Sequence, residues 1–458
     1  MKKILQYILM SILFCACAKE KTTIWDFEAS VDDISRIELR ADHKTLLPNG
    51  EAKMEFYPFV YGKKNVMKYG KDEEGEYISE MVEEEYLIPD DQLPKGCVKV
   101  YDQAGNEIKE NVYSTTTEIP GTVLNFYAKA GAIESNRLPI TIRDLPDESY
   151  DEIVVPVIFH MLLPPASAGP TYDISQEYME KVLEGVNNIF NRRITTDPNG
   201  GNVKLTFKLA VYDPSGVKLQ EAGKNVINLS ESNIKYIEDQ STSTASYVTG
   251  YDKFIVRYKS TCIWNPERYL NIWLTRFSMY SDEAGTYSYE TASPTVMHSD
   301  YDIESIPGLS DVQTKDRFTL SDVTSCLEVG VLVNYMTFLN PSVQGTNTFT
   351  LATVLAEYYG LLSTNTRYYK NLNSDGDIDY CPDTYTSYAN YYPLVFKANN
   401  LEGQPEELEL EWFTSFNVID RYSRKNSVSI DQALRMRKVL KQCPSRWAYK
   451  SDWAFTGK

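Results

Sequence analysis

The groups in this chain that can do metal or acid–base chemistry are few and widely spaced. Its three histidines are His43, His160 and His298. No two stand at the i, i+4 spacing that lets two imidazoles on one helical face share a metal. Five cysteines follow Cys17, namely Cys97, Cys262, Cys326, Cys381 and Cys443. None form a C-x-x-C pair, which argues against a pair of zinc sites. Their odd number leaves at least one thiol unpaired, and Cys381 with Cys443 is the favoured disulfide. The oxygen-rich run from Asn371 to Asp379 sets Asn371, Asn373, Asp375, Asp377 and Asp379 at alternate positions around Gly376. An EF-hand-like calcium loop begins in this way. Its twelfth position is Pro382 rather than the closing glutamate, so the run reads either as an incomplete calcium loop or as an acidic, solvated turn. A calcium ion there would stiffen the loop, not catalyse.

The elements that must position these groups fall into two patterns. From about residue 28 to Pro146 the hydrophobic period is two, broken by turn signals. Ile37, Leu39 and Ala41 alternate with polar residues, Pro48-Asn49-Gly50 marks a turn, and Leu138, Ile140 and Ile142 form the last run. Short strands at this spacing without a helical stretch point to an all-β sandwich. The stretch from Ile37 to Arg143 resembles bacterial immunoglobulin-like domains. The acidic segment from Asp72 to Glu85 reads as a solvated insertion. His43 belongs to this β region. A linker around Asp144–Glu148 leads into an α/β (α+β) pattern over 150–458. The apolar run Ile153–Leu162 is typical of a buried strand, and His160 within it reads as a core, hydrogen-bonded histidine. A helix follows, with Asp173 as its N-cap and Gln176 completing a capping box. Met179, Val182, Leu183, Val186, Ile189 and Phe190 share one face. Leu270, Ile272 and Leu274 alternate as a strand. Thr348–Leu362 is helical in pattern and ends at Gly360, and a last helix begins at Ser429 with Gln432 closing its capping box.

Six segments of the second region, in order, resemble the pappalysin-like family of metzincin zinc peptidases, and more narrowly its zinc-dependent metalloproteinase lipoproteins. IVVPVIFHML resembles the first strand, ERYLNIWLTRF the edge-strand motif and TLATVLAEYYGLLSTN the active-site helix. DYCPDT resembles the following loop, FTSFNVID the Met-turn and SIDQALRMRKVL the closing helix. The family pattern is HExxHxxGxxH, whose histidines hold zinc and whose glutamate activates the bound water. Laid on this chain, the first histidine position is Thr353 and the glutamate position Val354. The second histidine position is Glu357, the glycine is kept as Gly360, and the third histidine position is Ser363. The Met-turn methionine becomes Ile419. The resemblance therefore implies the scaffold without its chemistry: no zinc, and no catalytic residue. It also implies peptide binding along the strand Leu270, Asn271, Ile272, Trp273 and Leu274, and a calcium site that involves Asp379 and Asp383.

Composition narrows the partners. With 42% hydrophobic residues and 458 positions the chain has material for two or three folded domains. A formal net charge of -18 argues against nucleic acid, which needs a basic face, and against attachment to anionic lipid by charge alone. The N-terminus carries Lys2 and Lys3, an apolar run Ile4–Phe14 too short to span a bilayer, and then Ala16-Cys17. This reads as a lipobox with cleavage before Cys17 and acylation of that cysteine, and residues 18–27 as a tether. An ordinary secretory signal is the alternative. The expected protein is an outer-membrane lipoprotein of a Gram-negative bacterium, facing either the periplasm or the cell surface, that binds a polypeptide or surface ligand without cleaving it. Two other readings stand beside it: an active zinc metallopeptidase with atypical ligands, and an adhesin-like surface module.

Overall fold

The computed structural model describes residues 29–71, 77–168, 172–193, 197, 199–241, 247–276, 289–309, 311–335, 338, 346–364, 379–384, 417–419 and 427–458. The protein has mixed α/β content, several sheets and two compact units. The first comprises Met1–Arg40, Tyr57–Ile108 and Phe126–Leu138, and the second Ala41–Phe56, Lys109–Asn125 and Pro139–Lys458. Among the described residues no helix is long and apolar enough to cross a membrane.

The first unit is built from strands. Ile34–Ala41, Met54–Lys71 and Tyr77–Leu87 lie side by side in that order. Lys99–Tyr101 pairs antiparallel with Glu107–Ile108 on one side and with Val123–Ala130 on the other. In Val123–Ala130 the alternate residues Leu124, Phe126, Ala128 and Ala130 are buried, as the pleat requires of a half-covered strand. The acidic stretch expected to be an insertion is different in kind. From Tyr77 onward it is a strand, paired in register from Lys71↔Tyr77 to Tyr61↔Leu87. Cross-strand cations make this possible, since Glu83, Glu84 and Glu85 pair with Lys63, Lys68 and Arg36 at 2.7, 2.7 and 3.1 Å. Opposite charges across a ladder stabilise it where like charges would not. Asp72–Glu76 lie outside the described residues.

The second unit is organised around a sheet in the order Leu205–Leu209, Ile153–Leu163, Leu270–Thr275, Gly330–Asn334, Tyr289–Glu290. Lys224–Asn228 pairs with the far half of Ile153–Leu163. All pairs are parallel except the last, in which Tyr289–Glu290 runs antiparallel to Gly330–Asn334. Both faces are covered, so the central strands read as continuous apolar runs. One core packs Met179, Val186 and Phe190 of the helix Gln176–Phe190, with Leu351, Val354 and Leu355 of the helix Thr346–Tyr358, against Val157, Phe159, Ile272 and Val331. On the opposite side Ile234, Phe254 and Trp273 belong to a second cluster. The helix Gln176–Phe190 is capped by Ser175, whose side chain accepts from the Tyr178 amide at 3.2 Å. The expected cap, Asp173, stands two residues outside and pairs with Lys224 at 2.6 Å instead. Ser429 caps Ile430–Gln442 through a capping box with Gln432, as its sequence requires.

His160 is fully buried in the first strand. Its two ring nitrogens bond the side chains of Asn225 and Asn271, each at 2.8 Å, and its ring stacks on Trp273 with centroids 5.7 Å apart. Burial pushes its pKa down to about 4, so it is a neutral core group whose polar atoms are satisfied by amides. All five described cysteines are free thiols, and the expected Cys381–Cys443 bond is absent. The Cys443 sulfur instead lies 3.7 Å from that of Met297, inside an apolar cluster with Ile306 and Val439.

Candidate active site

The helix Thr346–Tyr358 ends at Gly360 for a backbone reason. Gly360 has φ 95°, a left-handed conformation that a Cβ disfavours. Its amide reaches the Glu357 carbonyl at 2.8 Å, and the Leu361 amide reaches Ala356 at 3.0 Å. These two bonds make a Schellman cap. A Cβ on Gly360 would meet Val439 at 2.5 Å, so the closing helix also demands a glycine here. Two buried arginines complete the helix end. Arg435 Nε donates to the Gly360 carbonyl at 2.6 Å and Arg446 Nε to the Tyr358 carbonyl at 2.6 Å. Arg446 also donates to the Glu328 and Ala292 carbonyls at 2.6 and 3.3 Å, and its guanidinium lies 3.5 Å from the centroid of the Tyr358 ring. Cations at a helix C-terminus offset the partial negative charge of its last carbonyls. Nothing in the sequence pattern marks these two arginines; the only available signal was two cations on or just after a closing helix with many buried positions.

The helix positions that would hold zinc in the family resembled carry other duties. Thr353 is buried, and its hydroxyl donates to the Val418 carbonyl at 2.9 Å. That bond joins the helix to the turn Asn417–Ile419, so the two segments matched to the active-site helix and the Met-turn do meet. Val354, at the glutamate position, is fully buried in the main core. Ile419 is buried at the methionine position, while Glu357 and Ser363 are half-buried. A hydroxyl committed to a carbonyl, an aliphatic side chain, one carboxylate and one serine are not a zinc donor set. These residues do not fit the metal, and no hydrolytic step is derived through it.

The strand expected to bind peptide at a sheet edge is interior. Leu270, Asn271, Ile272, Trp273 and Leu274 are all buried, and the strand is paired on one side with Ile153–Leu163 and on the other with Gly330–Asn334. Its backbone groups serve both ladders, so no further strand can add there. The edge position was implied by the resemblance alone; the alternation of Leu270, Ile272 and Leu274 arises because Asn271 points into a polar core network with His160 and the Trp264 backbone. Among the described residues the sheet ends on Tyr289–Glu290, which packs near the helix Thr346–Tyr358.

Of the expected calcium ligands, Asn371, Asn373, Asp375 and Asp377 lie outside the described residues. Asp379 is buried and accepts from the Thr384 hydroxyl at 2.7 Å and the Cys381 amide at 3.2 Å. Burial lifts its pKa to about 6. Asp383 is spent otherwise. One of its oxygens takes the Ser429 hydroxyl at 2.5 Å, and the other takes the Asp431 amide at 2.9 Å and the Arg143 guanidinium at 3.0 Å. Arg143 also holds Asp431 at 2.9 Å. Burial, and then the Asp431 carboxylate, lift Asp383 to about 6 against the pull of Arg143. A carboxylate at a helix N-terminus with a guanidinium at contact distance is an anion already neutralised, and Asp383 does not fit a calcium ligand.

The remaining charged cluster was not foreseen. His43 joins Asp42 through Nδ1 and Asp197 through Nε2, both at 3.0 Å. Asn199 lies 3.0 Å from Nδ1 and also donates to the Lys53 carbonyl at 2.8 Å. The Glu55 amide binds Asp42 at 3.0 Å and the Asn199 amide binds Asp197 at 3.0 Å. Burial alone would depress the imidazole, but Asp42 and Asp197 override it and hold its pKa well above the usual range. His43 is therefore a half-buried imidazolium within the second unit, held between two buried carboxylates, although its sequence neighbours alternate as strands. Its two carboxylates sit on opposite ring nitrogens, which makes a cross-link and not a shared metal site.

No family model matches the chain, and no curated protein matches it. Among solved structures it is similar to mature mirolysin of Tannerella forsythia in complex with a cleaved peptide, at 17% identity and a TM-score of 0.39, covering 67% of this chain and 97% of that one. A promirolysin mutant of the same organism gives 17% identity and a TM-score of 0.39, with 68% and 86% covered.

Proposed function

We propose that this protein is an outer-membrane lipoprotein, lipidated at Cys17, whose second region is a metzincin-like pseudopeptidase that binds polypeptide without cleaving it. Its N-terminal strands form an immunoglobulin-like sandwich in this reading. The observation that carries the proposal is the commitment of Thr353 to the Val418 carbonyl, beside a Val354 sealed in the core. A base position occupied by a buried aliphatic side chain cannot accept a proton, and loss of a general base costs about 100- to 10,000-fold by itself. Binding needs none of those groups. An extended peptide can add to the end of a sheet through backbone hydrogen bonds, and among the described residues this sheet ends on Tyr289–Glu290 at one side and on Leu205–Leu209 at the other, not on Leu270–Thr275. Calcium remains part of the proposal only through Asp379 and the residues before it.

The test is made on the full chain, loaded in zinc- and calcium-containing buffer and then desalted. Metal content is read by mass spectrometry, and binding and cleavage of an unfolded, carboxymethylated polypeptide are followed together. The expected outcome is saturable binding without cleavage, zinc well below one equivalent, and no effect of a zinc chelator. One tightly held zinc per chain with hydrolysis, both lost in Glu357→Ala, would show a working peptidase with atypical ligands. Absence of any polypeptide binding would remove the binding half of the proposal and favour the adhesin-like module.

A further inference from the structure

Two short strands share one border of the second unit's sheet. Leu205–Leu209 pairs with the first half of Ile153–Leu163, and Lys224–Asn228 pairs with its second half. The two are finished differently. In a parallel pair, successive residues turn their backbone groups alternately toward the partner and away from it. The Ile153 amide bonds the Lys204 carbonyl and the Ala210 amide bonds the Val157 carbonyl, both at 2.9 Å, so Leu205, Phe207 and Leu209 face outward. Side chains of the helix Gln176–Phe190 and its C-cap close that row. Asn187 accepts from the Phe207 amide at 2.7 Å and donates to the Phe207 carbonyl at 3.0 Å, as a neighbouring strand would. Asn191 donates to the Leu205 carbonyl at 2.9 Å. Covering an edge in this way keeps further strands from adding to it.

Lys224–Asn228 has no such cover. The Phe159 amide bonds the Gly223 carbonyl and the Leu229 amide bonds the Leu163 carbonyl, both at 2.8 Å. Odd-numbered residues therefore face the first strand, and Lys224, Val226 and Asn228 face outward. Lys224 turns its amide back to the Glu221 carbonyl at 3.3 Å. Among the described residues nothing bonds the amides of Val226 and Asn228 or the carbonyls of Lys224 and Val226. Val226 is 44% exposed, and Asn228 is exposed as well. Donors and acceptors thus stand in a row at strand spacing, the arrangement that an extended backbone matches. The opposite end of the sheet, Tyr289–Glu290, is a strand of only 2 residues. The side chains narrow the partner further. The cation of this strand, Lys224, is already held by Asp173 and Glu221, both at 2.6 Å, which leaves an uncovered apolar residue at its centre. We propose that Lys224–Asn228 is the edge to which polypeptide adds, and that it takes extended segments with a β-branched or aromatic residue beside Val226, where cross-strand pairs of that kind are favoured. This rests on the reading that the protein binds polypeptide, and adds to it the edge and the preferred segment.

The experiment is hydrogen exchange of the detergent-solubilised full chain, read by mass spectrometry with and without an unfolded, carboxymethylated polypeptide. The amides of Val226 and Asn228 should exchange fast in the free protein and about tenfold or more slowly with polypeptide bound. Val226→Pro is the matched variant. The ladder to the first strand does not use the Val226 amide, and proline is tolerated on an edge strand where its missing donor faces outward. It should weaken binding by about tenfold or more, because it removes a donor and sets its ring where the incoming strand must lie. Circular dichroism checks its fold, and the exchange experiment on the unaltered chain decides if that variant unfolds. Threonine pentapeptides with valine or asparagine at the centre grade the side-chain part. The valine peptide should compete better, and equal competition overturns the preference. Binding that slows exchange at Glu290 instead, or that a folded Val226→Pro leaves unchanged, overturns the assignment of the edge while the polypeptide-binding reading stands. Protection of Val226 that rises with protein concentration alone overturns it in favour of a second copy of the chain. Absence of any polypeptide binding overturns both.

Discussion

The helix Thr346–Tyr358 and the His43 cluster belong to the same unit and divide its chemistry in opposite ways. On the helix, a hydroxyl, a valine and a half-buried glutamate stand where ligands and a base would be needed, and the hydroxyl is tied to the Val418 carbonyl. In the His43 cluster each of two carboxylates lies 3.0 Å from the imidazole, yet they sit on opposite sides of the ring, and its charge offsets theirs. The residue types that make metal sites are gathered where they serve as a cross-link, and are not gathered on the helix Thr346–Tyr358. Function depends on which direction the lone pairs face, not on the inventory.

The largest test of this comparison is His43→Leu. It would leave two buried carboxylates without their cation, and breaking a buried pair from one side costs about 3 to 5 kcal/mol. The pH dependence has a definite sign. The folded pKa of His43 is raised, so its stabilisation is complete below about pH 6.5, the unfolded value, and is lost as pH rises through the folded value. Asp197 is lowered, since the imidazolium outweighs its burial, and its share is lost only as pH falls through its own depressed value. Asp42, Asp197 and Asn199 lie against the ring, and Asn199 is itself held by the Lys53 carbonyl. Urea unfolding followed by the fluorescence of Trp264, Trp273, Trp447 and Trp453, all in the second unit, reads both effects. A loss under about 1 kcal/mol, unchanged between pH 6 and 9, would make His43 a surface ion pair and end the comparison.

Arg446→Met tests the other side. Its guanidinium serves the Tyr358, Glu328 and Ala292 carbonyls, and the variant keeps bulk while removing every donor. Hydrogen bonds to charged groups are worth about 1.5 to 3 kcal/mol each and are not additive, so a loss near 3 kcal/mol is expected in the same unfolding assay. Hydrogen exchange should quicken at the end of the helix Thr346–Tyr358 before it does elsewhere. Uniform quickening would place the role of Arg446 outside the helix end.

Asp379→Asn has a smaller, pH-shaped effect. Asp379 titrates at about 6 in the folded protein against an ordinary value of 3.8. Between these values the folded state holds a proton that the unfolded chain has released. Stability therefore falls as pH rises through this window, by up to about 1.4 kcal/mol per pH unit for one group. The variant should flatten the slope between pH 4 and 6 and leave the slope above pH 7, where His43 acts, unchanged. A slope that persists would assign the window to Asp383 alone.

Periodicity made the unit's frame legible. The first strand, the apolar face of Gln176–Phe190 and the capping box at Ser429 all follow from local pattern. Local pattern cannot report what lies beside a strand. Leu270–Thr275 alternates in sequence because Asn271 and Trp273 serve a polar core network and an apolar cluster, and it sits in the sheet interior. The strand at Tyr77 was hidden by its own carboxylates, whose neutralising lysines are more than ten residues earlier in the chain. The helix and its terminal glycine were legible because both are local features. The Thr353–Val418 bond and the His43–Asp197 pair join residues far apart in sequence, and no spacing rule reaches them.

Thr353→Val is the smallest change and the one that separates the two regions most directly. Valine keeps the branched shape and removes only the hydroxyl. If the hydroxyl is a structural tie, its loss leaves the Val418 carbonyl buried and unpaired, and the variant should be less stable by about 1 kcal/mol. If Thr353 were instead kept as a poor ligand for some bound group, a buried hydroxyl would be a burden in the free protein. Its removal would then be neutral or stabilising, as replacing a polar group retained for function commonly is. The two readings differ in sign, so a half-unit measurement decides between them. The same variant leaves the His43 cluster untouched, and any effect on the pH slope above 7 would mean that the two regions are not independent.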